Sequence, residues 1–293
     1  MKAPIDIIRT ANTLGEGILW DERTNCAWWT DIQEKILLCY DTRTRSLHEF
    51  GLPERLGSFG FVEGDTRIVG AFESGFALCQ PRTGAIEWLV RPAHAQANIR
   101  FNDGRVDRQG RFWAGTMVEG PGDPGGKLYR LDGDGSFEVC ERGIAISNSL
   151  CFSPDGTLMY FADTPKQVIH RYAIDADSGE IADRRIFAIA PPGAFPDGAQ
   201  VDRDGYVWSA HWGAGQVVRY APDGKVDSVI DLPVSQPTCV AFGGADLNLL
   251  FVTTAREGLS EDNLKRQPLA GSVLVYEVET PGTIDARFAW RGK

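Results

Sequence analysis

Apolar residues in this chain come in short, strand-like runs, and each run ends in turn chemistry. Residues 194–213 read AFPDGAQVDRDGYVWSAHWG: a Pro-Asp-Gly turn, an alternating strand, an Asp-Arg-Asp-Gly hairpin turn and a second strand of small and aromatic residues. Residues 102–116, NDGRVDRQGRFWAGT, and residues 148–163, NSLCFSPDGTLMYFAD, repeat that grammar. Apolar alternation bounded by Gly- and Asp-containing turns is the pattern of strands joined by hairpins.

Six such units tile the chain, headed by Glu16, Ser58, Asn102, Asn148, Asp197 and Gln236. Each contains four predicted strands. In the first these are ILW, CAWWT, ILLCY and SLHEF; in the sixth they are TCVAF, LLFVTT, SVLVYEV and ARFAW. Four-stranded units repeated every 35–50 residues or so mark a β-propeller. The expected fold is therefore all-β, a six-bladed propeller of four-stranded antiparallel blades around a central channel, with residues 1–293 as one domain. A sandwich would share the strand lengths but give no reason for the internal repetition. The N-terminal IDIIRT is expected to pair with the last blade and close the ring.

Composition narrows the partners. With 40 acidic against 30 basic residues the net charge is −10, which disfavours a nucleic-acid partner and an anionic membrane surface. No basic leader precedes an apolar run, and no stretch nears the length of a membrane span, so a cytoplasmic protein is expected. The six cysteines form no C-x-x-C pair and sit within apolar runs, as buried small hydrophobes in a reducing compartment would. A closed ring leaves no central edge to drive association, so a monomer is expected.

In a propeller the first strand of every blade lines the axis, so the residues heading those strands meet at one mouth of the channel. All six heads are polar and none is Lys or Arg. Two carboxylates and an amide oxygen converging on one point repel one another unless a cation sits among them, and oxygen-only ligands suit hard divalent ions. From the residue types alone a second reading stands beside this one, with Asn148 and Asp197 as turn residues and Glu16 solvated.

Several segments resemble the senescence-marker-protein/regucalcin/gluconolactonase family: Leu14-Gly15-Glu16-Gly17, Arg100-Phe101-Asn102-Asp103-Gly104, Ser147-Asn148-Ser149-Leu150 and Phe195-Pro196-Asp197-Gly198. Thr253-Thr254-Ala255-Arg256 and Gln267-Pro268-Leu269-Ala270-Gly271 extend the likeness over nearly the whole chain, in order. The resemblance implies a six-bladed propeller that hydrolyses sugar lactones with one divalent ion, be it Ca²⁺, Mg²⁺, Mn²⁺, Zn²⁺ or Fe²⁺. It implies Glu16, Asn148 and Asp197 as metal ligands and Asp197 as the acid/base. Arg100 and Asn102 would contact substrate, with Asp103 close behind and Glu119 near a sugar-contacting position. One departure is Ser149, where relatives often have Gly.

The chemistry is consistent with that resemblance. Lactone opening places negative charge on the carbonyl oxygen, which a Lewis acid stabilises, and it needs a base for water. Neither G-x-S-x-G nor a Ser-His-Asp arrangement is evident. Specificity is expected from the loops between second and third strands, which carry Asp31, Glu73, Met117 and Glu119, and further on Asp163, His211, Trp212 and Arg256. That polar mixture leans towards a polyol, with Trp212 as a flat face for ring carbons. Arg256 is a candidate partner for Glu73 or Asp163, and His48, His94 and His170 carry no assigned role. The reading is a metal-dependent lactonase for an aldonolactone such as glucono-, arabinono- or xylonolactone. A non-catalytic calcium-binding propeller and an esterase for a non-sugar ester are the rivals.

Overall fold

A computed structural model describes residues 3–93, 98–120 and 124–292. Six four-stranded antiparallel sheets form the blades of a propeller. The inner strands are Gly15–Asp21, Leu56–Phe61, Ile99–Val106, Ser147–Phe152, Phe195–Val201 and Pro237–Gly243, and each packs on the inner strands of its two neighbours around one ring. Burial follows from that stacking. Inner strands are covered on both faces and almost wholly buried, whereas the outer strands Ser46–Gly51 and Val226–Asp231 are mostly exposed.

The hairpin turns hold the blades through a recurring clasp. Asp107 accepts hydrogen bonds from the backbone N–H groups of Gln109 and Arg111 and from Trp113 Nε1 at 2.8 Å. Asp202 does the same for Asp204, Tyr206 and Trp208 Nε1 at 2.9 Å, and Arg219 adds an ion pair at 2.7 Å. The Asp–Gly turns of the sequence thus also anchor the aromatic residue of the next strand, satisfying an indole N–H that burial would otherwise leave unpaired.

The ring closes at the N-terminus as expected. Asp6–Ile8 pairs with Val273–Glu277 as the outermost strand of the sixth blade. The other half of the expectation for that blade fails, because residues 286–290 are not its fourth strand. With that edge already taken, this segment crosses the far end of the channel instead. Phe288, fully buried, bridges to Val62 and packs among the apolar side chains of blades two and three. Beside it Asp285 meets Arg105 at 2.7 Å and Gln200 Nε2 at 2.7 Å.

The heads of the inner strands carry β-bulges, which free side chains from the ladder and re-aim them. Pairing breaks between Glu16 and Leu19, Phe101 and Gly104, Asn148 and Cys151, Pro196 and Ala199, and Pro237 and Val240. In each case two residues oppose one. The second blade has a shorter break, between Leu56 and Ser58.

Candidate active site

The bulges of blades one, three, four and five bring Glu16, Arg100, Asn102, Asn148 and Asp197 to the floor of a pocket of about 270 Å³ at the channel mouth. Two of the six heads stay out of it. Ser58 is fully buried, and Gln236 donates from Nε2 to the Glu257 carbonyl at 3.1 Å. For Ser58 the difference lies in register: the break of the second blade holds only Gly57, packed against the Phe101 and Asn102 carbonyls, where a Cβ would stand 2.5 Å from the nearer oxygen.

Each floor residue is held by others. Asn102 Nδ2 donates to the Ser147 carbonyl at 2.9 Å and to Asn148 Oδ1 at 3.1 Å. Asn148 Nδ2 donates to Thr164 Oγ1 at 2.8 Å, and that hydroxyl donates to the Pro196 carbonyl. The amide is thereby fixed with one lone pair of Oδ1 unclaimed by these bonds. Arg100 donates from Nη1 to Asn102 Oδ1 at 2.8 Å and from Nε to Glu119 at 3.0 Å. Glu119 is gripped further by Arg55, whose Nη1 and Nη2 lie 2.8 and 2.9 Å from its two oxygens. Glu119 therefore stands behind Arg100 rather than on the pocket surface.

Asp103 lies beneath the floor, accepting from the N–H groups of Gly104 and Leu150 at 2.9 and 2.7 Å. Ser149 takes a left-handed φ of +56°, as does Gly17 at +60° after Glu16, which explains why a glycine suits this place. The serine offsets part of the strain by donating to the Asp197 carbonyl at 2.7 Å.

The site is short of positive charge. Burial, then the Asp103 charge, pushes Glu16 from 4.5 up to about 8. Burial likewise raises Asp103 to about 6, against the pull of the Leu150 N–H and Arg105. Asp197 is driven well above the ordinary carboxylate range by burial, then by Glu16 and Asp103. Against three buried acids stand Arg100, already engaged by Glu119 and Asn102, and Arg105, already paired with Asp285, a deficit that a hard divalent cation fits. Among the described residues no three His, Cys, Asp or Glu side chains surround a common metal position. Beside the carboxylates of Glu16 and Asp197, the pocket offers the amide oxygen of Asn148 as a further oxygen donor.

The pocket wall differs from the polar mouth expected. It consists of Leu14, Met117, Ile146, Pro165, Phe195 and Trp212, with Thr164 and Glu257 as the polar rim. Of the expected specificity residues only Met117 and Trp212 line it. Asp31 accepts from the N–H groups of Thr13 and Leu14, and Asp163 from those of Ala145 and Ile146, so both pin the loops that enter the inner strands. Glu73 pairs with Arg55 at 2.6 Å and Asp163 with Lys166 at 2.9 Å; Arg256 pairs with neither and reaches the Ala11 carbonyl. His211 is fully buried beside the Tyr220 hydroxyl, and burial lowers it to about 4, so it is a neutral packing residue. His94 lies outside the described residues.

Sequence reasoning missed Arg55, Leu14, Ile146 and Phe195. The last three share a signal with Arg100: each stands two residues before a polar head, and alternation along a strand returns that position to the same side.

Residues 14–256 match the SMP-30/gluconolactonase/LRE-like region. The chain is 39% identical over 285 residues to a Pseudomonas putida protein named 6-deoxy-6-sulfogluconolactonase, covering 97% of each. It is also 39% identical to a protein named L-arabinolactonase from Azospirillum brasilense, covering 96% of this chain and 93% of that one. A solved structure described as a calcium-binding protein, regucalcin, from Agrobacterium tumefaciens superposes with a TM-score of 0.93 at 30% identity, over 98% of both chains. This chain belongs to the SMP-30/gluconolactonase/LRE-like family of propellers, among whose members are sugar lactonases.

Proposed function

We propose that the protein hydrolyses an aldonolactone to the aldonic acid, with one divalent ion held by Glu16, Asn148 and Asp197. The observation that carries this reading is the buried Glu16–Asp197 carboxylate pair beside Asn148 at the floor of a monosaccharide-sized pocket. When bound, the ion supplies Lewis acidity at the lactone carbonyl and acidifies a water.

The chain's own residues do the rest. Arg100 and Asn102 hold ring hydroxyls, and their mutual hydrogen bond fixes both before substrate arrives. Asp197 takes a proton from the attacking water as its oxygen bonds to the carbonyl carbon, then returns that proton to the ring oxygen as the ester C–O bond breaks. In the ion-free protein, burial and then the Glu16 and Asp103 charges raise the proton affinity of the Asp197 carboxyl.

Metal-stripped protein should give no turnover by a pH-indicator assay over a hexono- and pentonolactone panel. One restored ion should raise hydrolysis far above the spontaneous rate. Asp197→Asn should retain the circular dichroism of the parent and lose turnover. Near-normal hydrolysis by that variant, or equal rates with and without chelator, would remove the mechanism.

A further inference from the structure

The pocket has chemically unequal sides. Apart from Glu16, Asn148 and Asp197, assigned above to the ion, and Thr164, the hydrogen-bonding groups are Arg100 and Asn102 of blade three and Glu257 at the rim, whose Oε1 already accepts from Gln33 at 2.6 Å. The wall of blades three, four, five and one is the apolar arc Met117, Ile146, Pro165, Phe195, Trp212 and Leu14. Trp212 is braced from behind by the buried cluster Leu14, Ile32 and Ala255, and Met117 bridges to Ile146 across two blades. The arc is part of the fold and not a loose loop. Thr164, the one hydroxyl beside it, is spent on Asn148 and Pro196.

Resting on the lactonase reading above, we infer that the preferred substrate is a 6-deoxyhexonolactone, whose terminal methyl group packs on this arc while its ring hydroxyls face Arg100 and Asn102. A hydroxymethyl group against the same arc would give up its hydrogen bonds to water and find none in return. A charged terminus fares worse. Among the described residues Arg100 alone brings a positive charge to the lining, and it is tied to Glu119 and Asn102. A bare pentonolactone would avoid the penalty but leave the arc without contact.

The experiment compares lactones of one ring configuration that differ only at C6, as CH₃, CH₂OH or CH₂SO₃⁻, using ion-restored protein and kcat/KM. The 6-deoxy compound should exceed the hydroxymethyl parent by about tenfold or more, the scale on which an apolar pocket rejects a hydroxyl. The sulfonate should be poorest. Met117→Gln, which puts hydrogen-bonding groups on the arc at nearly constant length, should shrink the first ratio at least threefold. A non-catalytic readout is the thermal shift given by the corresponding 1,5-anhydrohexitols, where the 6-deoxy analogue should stabilise most. Preference for the hydroxymethyl or sulfonate compound in both readouts overturns this inference and leaves the lactonase reading intact. Absence of hydrolysis for all three and for the wider lactone panel overturns both.

Discussion

In divalent-free buffer, the buried acids should make this fold lose stability as pH rises. Glu16 ionises near 4.5 when unfolded but at about 8 in the fold, chiefly because burial penalises its charge. Below pH 4.5 the carboxyl is protonated in both states and contributes nothing. Between that point and pH 8 the folded protein keeps a proton that the unfolded chain has released, and each pH unit costs about 1.4 kcal/mol. From pH 5 to 8 the loss is about 4 kcal/mol, which for a chain of this size corresponds to about 6 °C in melting temperature. Asp197, raised for the same reason, adds loss in the same direction. The assay is a set of melts with chelator at pH 5, 6, 7 and 8 for the parent and for Glu16→Gln/Asp197→Asn, which keeps hydrogen-bonding groups in place and removes both acids. The parent should fall relative to the variant by that amount across the range, then recover when a divalent ion is added. At a hundred times its dissociation constant an ion returns about 2.7 kcal/mol, and the variant should gain nothing. A parent-minus-variant difference that is flat with pH would refute the reasoning and favour solvated, ordinary carboxylates at the mouth.

Asp285→Ala should leave Arg105 buried without its partner at the far end of the channel, lowering stability in urea melts by about 3–5 kcal/mol. Asp202→Ala removes an acceptor shared by Trp208, Arg219 and two backbone N–H groups, and should lower the melting temperature by at least 5 °C or so. Ser149→Ala should cost about 1 kcal/mol more than Ser149→Gly, because both lose the bond to the Asp197 carbonyl but only alanine retains the strain at φ +56°. Arg55→Met should raise KM for the lactone while sparing ion affinity by titration calorimetry, since Arg55 reaches the site only through Glu119 and Arg100.

The fold was legible because each blade repeats the same local rules. Asp–Gly turns, β-branched alternation and the aromatic residue that follows each turn all point to one answer. The exception, residues 286–290, reads as a strand because the large apolar Phe288 and Trp290 alternate with Arg287 and the small Ala289. Whether such a segment pairs or plugs depends on whether an edge is free, and only the distant N-terminal strand decides that. At the site, Glu16, Asn148 and Asp197 were visible as polar heads, while Ser58 and Gln236 were equally polar and lie elsewhere. Polarity does not report register: the break of blade two is shorter than the others, whereas Gln236 precedes a bulge of the usual kind and turns to the Glu257 carbonyl. The pocket wall was misread for a related reason. Asp31 and Asp163 look like polyol ligands until Asp31 is seen to accept from backbone N–H groups with both oxygens and Asp163 with one, its other oxygen facing Lys166, and nothing in a single sequence records such local spending.

Ring closure by Asp6–Ile8 also sets the order in which the molecule can be built. The joint ties Thr10 to Gly271 across 261 residues, and the tail ties Arg287 to Asp21 across 266. During synthesis the first strand to emerge is the last to find its partner, so five blades can be complete while the sixth still lacks an edge. Closures of this sequence separation are slow, and until they occur Val273–Glu277 exposes an unpaired, apolar edge to neighbouring chains. Refolding yield should therefore depend steeply on protein concentration, and a peptide carrying residues 3–10 supplied in excess should compete for that edge.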